Sequence, residues 1–207
     1  GVTSLFAGNG YPSHGGDGML AVQAAIKAPN SVATDIDGNV YISDYSSGRI
    51  RKVSPDGIIQ TIAGTGIWAP GENGVPALEA CIGPGALAVD TAGNLYFAEY
   101  NRVRKTGPDG ILWTFAGGGH NTGDGCPALE ASLGPISDIA VDAAGNLYIT
   151  DTDNDCIRKI NKSRIITTIA GGGNTAYSGD GQLATDIKLE SVAGICIDQD
   201  GGLLIVD

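Results

Sequence analysis

Asp151-Thr152-Asp153-Asn154-Asp155 is the stretch of this sequence with the most direct chemistry. Carboxylates at alternate positions resemble the opening of a calcium loop, where hard oxygen ligands gather around a hard cation. The remainder of such a loop is missing: no Gly follows the third acid and no Glu stands at the twelfth position. The first acid is also repeated. Asp44, Glu99 and Asp151 close the same strand in successive units, and Asp207 stands at the equivalent place. A repeated acid reads first as a turn cap or as a partner for the repeated Arg51, Arg104 or Arg158, and only second as a cation ligand. No cofactor is expected, calcium at Asp151, Asp153 and Asp155 being the alternative.

Three further sets of residues could act on a ligand. Tyr45 and Tyr100 follow the repeated acid, with Thr152 in the third place, and Trp68 falls in a connection on the same side. Exposed aromatics on a rim suit sugars or proteins, because a flat apolar face is joined to a polar edge. His14 and His120 stand shortly before Asp17 and Asp124 on equivalent loops. They complete the candidate ligand set, although solvated loop histidines are the default. The GDG aspartates Asp17, Asp124 and Asp180 recur with Asn73 in the fourth place. Asn can replace Asp in a turn but weakens a metal site, so these read as structural. No GxSxG, HExxH or Walker-type loop occurs.

The elements that position these residues come from an internal repeat. The stretch 139–171 reads as four short strands, rich in β-branched and aromatic residues and separated by Gly, Asn and Asp. The Asp closing the first strand recurs at Asp35, Asp90, Asp142 and Asp198, at intervals of 55, 52 and 56. The third strand carries Ile50-Arg-Lys52, Val103-Arg-Lys105 and Ile157-Arg-Lys159. One four-stranded sheet per repeat of this length is the signature of a β-propeller. Blades are expected over about 31–63, 86–116 and 138–170, with a partial blade over 194–207 and a lone fourth strand at Thr3–Ala7. The inserts between blades align without gaps (GDGMLAVQAAI, NGVPALEACI, GDGCPALEASL, GDGQLATDIKL). Pro76 and Pro127 stand where a first helical turn would start, and Leu129 and Leu133 are spaced for one face of a short helix.

The stretches NVYISDYSSGRIRKVSPDGIIQTIAGTG (39–66) and NLYITDTDNDCIRKINKSRIITTIAGGG (146–173) resemble NHL repeats. The resemblance covers nearly the whole chain, and the shared residues are those that build blades. It implies an all-β propeller of four-stranded antiparallel blades, typically six, of which about 3.5 are present here. It also implies either a longer propeller around this segment or sheet edges that self-associate. Related propeller enzymes such as the peptidyl-amidating lyase use central metals held by histidines. Two loop histidines, with none in the inner strands, do not reproduce that set.

Composition narrows the partners. Twelve basic residues against 23 acidic give a net charge of −11, which repels nucleic-acid phosphate and anionic membrane surfaces. No stretch approaches the roughly 20 apolar residues that span a bilayer. Thirty-three glycines recur at repeat positions and mark turns. Four cysteines show no zinc spacing. Cys196 takes the slot of Ala33, Ala88 and Ala140 and reads as a small buried hydrophobe; Cys156 replaces the arginine of Arg49 and Arg102. Cys81 and Cys126 lie in equivalent inserts, either as free thiols or bridged.

Alternating strand direction puts the strand 1–2 and 3–4 turns on one face and the longer connections on the other. The inserts, the histidines and Asp151–Asp155 are thereby assigned to the long-loop face, where a site belongs. The reading is a binding or scaffolding module for a protein, peptide or carbohydrate, without nucleic acid or membrane, in an extracellular or periplasmic setting. A propeller enzyme of the lyase, lactonase or strictosidine-synthase-like kind is the alternative.

Overall fold

The computed structural model describes residues 1–11, 13–174 and 181–207. The first sheet pairs β1 (Pro29–Thr34), β2 (Val40–Asp44), β3 (Arg49–Val53) and β4 (Ile59–Ala63) in sequence order, every pair antiparallel. The second sheet adds a two-residue edge strand, β5 (Val75–Pro76), outside β6 (Leu87–Val89), β7 (Leu95–Glu99), β8 (Arg102–Thr106) and β9 (Ile111–Gly117). The third joins β10 (Ile139–Val141), β11 (Leu147–Asp151), β12 (Cys156–Ile160) and β13 (Ile166–Gly171). A two-stranded sheet of β14 (Gly194–Ile197) and β15 (Leu203–Val206) follows. These are β-propeller blades, and their first strands lie beside one another in chain order. Neighbouring blades are tied by polar bonds: Ser31 Oγ accepts the Leu87 N–H at 3.0 Å, and Ser137 Oγ donates to the Val192 carbonyl at 2.9 Å.

Each β1–β2-type turn is built by one Asp. Asp35 Oδ1 accepts the Asp37 and Asn39 N–H groups, while Oδ2 takes the Asn39 amide at 2.7 Å and the Tyr41 hydroxyl at 3.0 Å. Asp90 and Asp142 do the same with Tyr96 and Tyr148. Lys52, Lys105 and Lys159 then sit over those tyrosine rings at 5.3 to 5.5 Å. Burial alone would raise the Asp142 pKa, but bonds from Asn146 and Tyr148 and the charge of Lys159 hold it below the usual carboxylate range. Burial and the bond to Asp35 push the Tyr41 phenol up to about 12.

The inserts differ from the short helices expected. The first three each contain a single 3-10 turn, at Ala21–Gln23, Ala77–Glu79 and Ala128–Glu130, followed by an extended residue. Their backbone groups are committed to neighbouring blades: Ala77 N–H donates to Gly110, and Gly64 N–H donates to Ala77, both at 2.8 Å. That leaves nothing for an i→i−4 ladder. Ala77, Ala80, Ala128 and Ala131 are buried, because only a methyl group fits between blades, whereas Leu129 is exposed and Leu133 buried. Pro76 ends the edge strand β5, where no N–H is required. The inserts therefore wedge between consecutive blades and reach the far-side turns; they are not gathered on the long-loop face.

Thr3–Ala7 forms no strand, since no strand among the described residues pairs with it. Cys196 is exposed, as no described blade covers that side of β14. Cys81 and Cys126 are free, and burial pushes the Cys156 thiol up to about 11. At the β12–β13 turn Arg164 has φ 62, where Gly57 and Gly110 stand in the other blades. A side chain there costs roughly 1–2 kcal/mol.

Candidate ligand-binding groove

The repeated acids and arginines meet inside the blades. Arg51 is fully buried between Asp17 at 2.7 Å and Asp44 at 3.7 Å; Arg158 lies between Asp124 at 3.1 Å and Asp151 at 3.4 Å. The insert acid also accepts from the fourth strand: Asp17 takes the Thr61 N–H at 2.8 Å and Asp124 the Thr168 N–H at 2.9 Å. In the second blade Asn73 makes the same bond to Thr114 at 2.7 Å but brings no charge. Arg104 compensates through the Gly71 and Glu72 carbonyls, both at 2.8 Å, and shares Glu99 with a second cation, Arg102. The pairing of acid with arginine is as the repeat suggested; the GDG aspartate's place in it was not read from the sequence. Asp180, the fourth member, lies outside the described residues.

Asp151 is consequently occupied. Its Oδ1 accepts the Gly134 N–H and the Asn154 amide, both at 2.8 Å, and Oδ2 faces Arg158. Asp153 lies on an exposed 3-10 turn and Asp155 takes the left-handed position after it, φ 47. Among the described residues no three His, Cys, Asp or Glu side chains are grouped to hold a metal.

Tyr45, Trp68 and Tyr100 come together. They ring a groove of 570 Å³ with Ala28, Pro29 and Asn30 from the start of β1, Gly83, Gly85 and Ala98 from the second blade, and Pro135 and Ile136 from the approach to β10. Tyr45 is 38% exposed, Trp68 58% and Tyr100 72%. Tyr45 and Trp68 meet edge to face, centroids 6.2 Å apart at 73°. Trp68 also walls an adjoining apolar slot of 300 Å³, closed by Pro70, Glu99, Tyr100 and Arg102. Among the described residues no charged side chain lines the larger groove.

Two local departures from the repeat create this arrangement. Tyr100 lies in a strand 2–3 loop two residues shorter than its counterparts, as the Glu99–Arg102 spacing shows against Asp44–Arg49 and Asp151–Cys156. It takes φ 58, a conformation that Gly48 and Asp155 supply elsewhere, and its carbonyl accepts the Ile136 N–H at 2.9 Å. A bulky residue held there is strained. Trp68 packs on Gly83, where an added Cβ would come within 2.7 Å of the indole. The Gly83, Gly85 and Pro135–Ile136 walls carry no sequence signal beyond their glycines and proline.

His14 and His120 are exposed on the inserts and are not among the groove residues. Asp138 was not singled out in the sequence. It stands just before β10, where its Oδ2 accepts the Ile195 N–H of the next blade at 2.8 Å, and burial raises its pKa.

The fold is that of a β-propeller, and the sequence is consistent with the NHL-repeat family. Within that class, residues 8–73 match the Teneurin NHL domain family. The chain is 30% identical to mouse Teneurin-3 over 93% of its length and 27% identical to human Teneurin-1 over 94%, and spans 8% of either. A solved structure of a structural genomics protein of unknown function from Bacteroides thetaiotaomicron superposes with a TM-score of 0.66 at 25% identity. That match covers 86% of this chain and 44% of the other.

Proposed function

We propose that this chain is a binding module whose ligand is a segment of polypeptide, held across the ends of three blades by Tyr45, Trp68 and Tyr100. One observation carries the reading: three exposed aromatics, from three separate connections, converge on one uncharged groove. Aromatic anchors in a preformed recess are the usual source of binding energy at protein interfaces. The adjoining slot beside Trp68 suits one apolar side chain. An extracellular or periplasmic setting belongs to the same proposal.

Selection of displayed peptides on this chain tests it. Selected peptides should converge on a short apolar motif and bind the Trp68→Ala chain at least 10-fold more weakly. Peptides that bind both chains equally would overturn the groove as the site.

A further inference from the structure

We propose that a second cavity, on the outer side between the second and third blades, binds a saccharide residue carrying a carboxylate. The cavity has a volume of 390 Å³ and is lined by Lys105, Trp113, Phe115 and Arg164, with Asp109 at its edge. It is independent of the aromatic groove, shares none of its residues, and has no counterpart in the proposed function above.

The case rests on an internal control. Each blade presents the same cross-strand row on one side: Tyr41–Lys52–Gln60, Tyr96–Lys105–Trp113 and Tyr148–Lys159–Thr167. In the first blade the corresponding recess has only 260 Å³ and is polar, lined by Lys52, Ser54, Asp56 and Gln60. The second blade departs from that pattern at two positions and the third blade at one, and the three converge. Trp113 replaces Gln60 and Thr167, Phe115 replaces Ile62 and Ile169, and Arg164 stands where the repeat has glycine. None of the three is needed to build a blade, since the other blades do without them.

The chemistry of the three is complementary. Arg164 lies over the Phe115 ring at 4.4 Å and donates through Nη2 to the Phe115 carbonyl at 2.8 Å, which fixes the guanidinium. Its other N–H groups and the Lys105 ammonium have no carboxylate partner among the described residues. Arg164 thus joins Lys105 beside one recess, whereas Lys52 is the one cation lining the first-blade recess. Planar donors of this kind recognise a carboxylate. Trp113 leaves about half of its surface open, offering a flat apolar face to the C–H side of a pyranose ring. The Asp109 carboxylate accepts the Ile111 N–H at 3.1 Å and would oppose a second acid on that edge, so one carboxylate per bound residue is the fit.

Trp68 and Trp113 are the two tryptophans, so Trp68→Phe leaves Trp113 as the sole indole reporter. In that background, titration with tetragalacturonate should give a saturable change in Trp113 emission, with cellotetraose at least 10-fold weaker. Arg164→Gly, which restores the residue the other blades use, should weaken the uronate at least 10-fold while leaving the fold intact. Saturation-transfer NMR on the unsubstituted chain reads the same two sugars independently of the Trp68 change. Absence of saturable binding by both methods, equal response to the neutral sugar, or an unaltered Arg164→Gly chain would each overturn the assignment.

Discussion

The blade interiors and the aromatic groove use polar and aromatic residues in opposite ways. Inside the blades the same groups recur three times: an arginine on the third strand, an acid at the end of the second, and an insert residue hydrogen-bonded to the fourth-strand threonine. At the groove nothing recurs in full, for Tyr45 and Tyr100 have Thr152 as their third member and Trp68 stands alone. Repetition therefore marks groups that hold blades together, and broken repetition marks surfaces shaped for something else. Asp151, the first acid of the stretch that resembles a calcium loop, belongs to the first kind.

The largest effect should come from breaking an interior centre. Arg51→Met strands the fully buried Asp44 carboxylate without its cation, and should cost about 3–5 kcal/mol in urea unfolding. Replacing both partners, Arg51→Met with Asp44→Leu, should recover much of that loss, because the buried charge is gone as well. A double variant as unstable as the single one would show that hydrogen bonds to Ala25, Gly15 and Lys27, rather than charge, set the cost.

The groove should respond in the opposite sense. Tyr100→Gly relieves the left-handed backbone at φ 58 and should raise stability by about 1 kcal/mol while weakening peptide binding. Loss of stability on that change would mean that Tyr100 supports the loop instead of being tolerated there.

The smallest effect is a pH dependence confined to the repeated turns. Hydrogen bonds and Lys159, outweighing burial, place the folded pKa of Asp142 below its unfolded value. Its stabilisation is thus complete above the ordinary carboxylate value of 3.8 and is lost as pH falls through the depressed folded pKa. Asp142→Asn should lower the urea midpoint at pH 7, and the two chains should converge as the medium is acidified through the depressed folded pKa. A constant difference across that range would assign the turn's stability to geometry alone.

Much of this was legible in the sequence because propeller blades are local. The Asp-to-Asn and Asp-to-Tyr spacings lie within six residues, and each becomes one hydrogen-bonded turn. Tyr45, Trp68 and Tyr100 could be assigned to one face by strand direction alone. The inserts could not be read, because their Ala-Leu-Glu composition favours helix while their hydrogen bonds are made to strands elsewhere in the chain. The same distance hid the bond between Asp124 and Thr168, 44 residues apart. Arg164 was passed over because the strain that makes it informative is a backbone angle, which residue type does not print.

The contrast between interior and groove is tested most directly by measuring stability and binding on one chain carrying Tyr45→Ala, Trp68→Ala and Tyr100→Ala. Peptides selected on the unsubstituted chain should lose at least 100-fold in affinity, while the urea unfolding free energy changes by no more than about 1 kcal/mol. Binding that survives alongside a loss of several kcal/mol would place these aromatics with the blade-building residues and contradict the account.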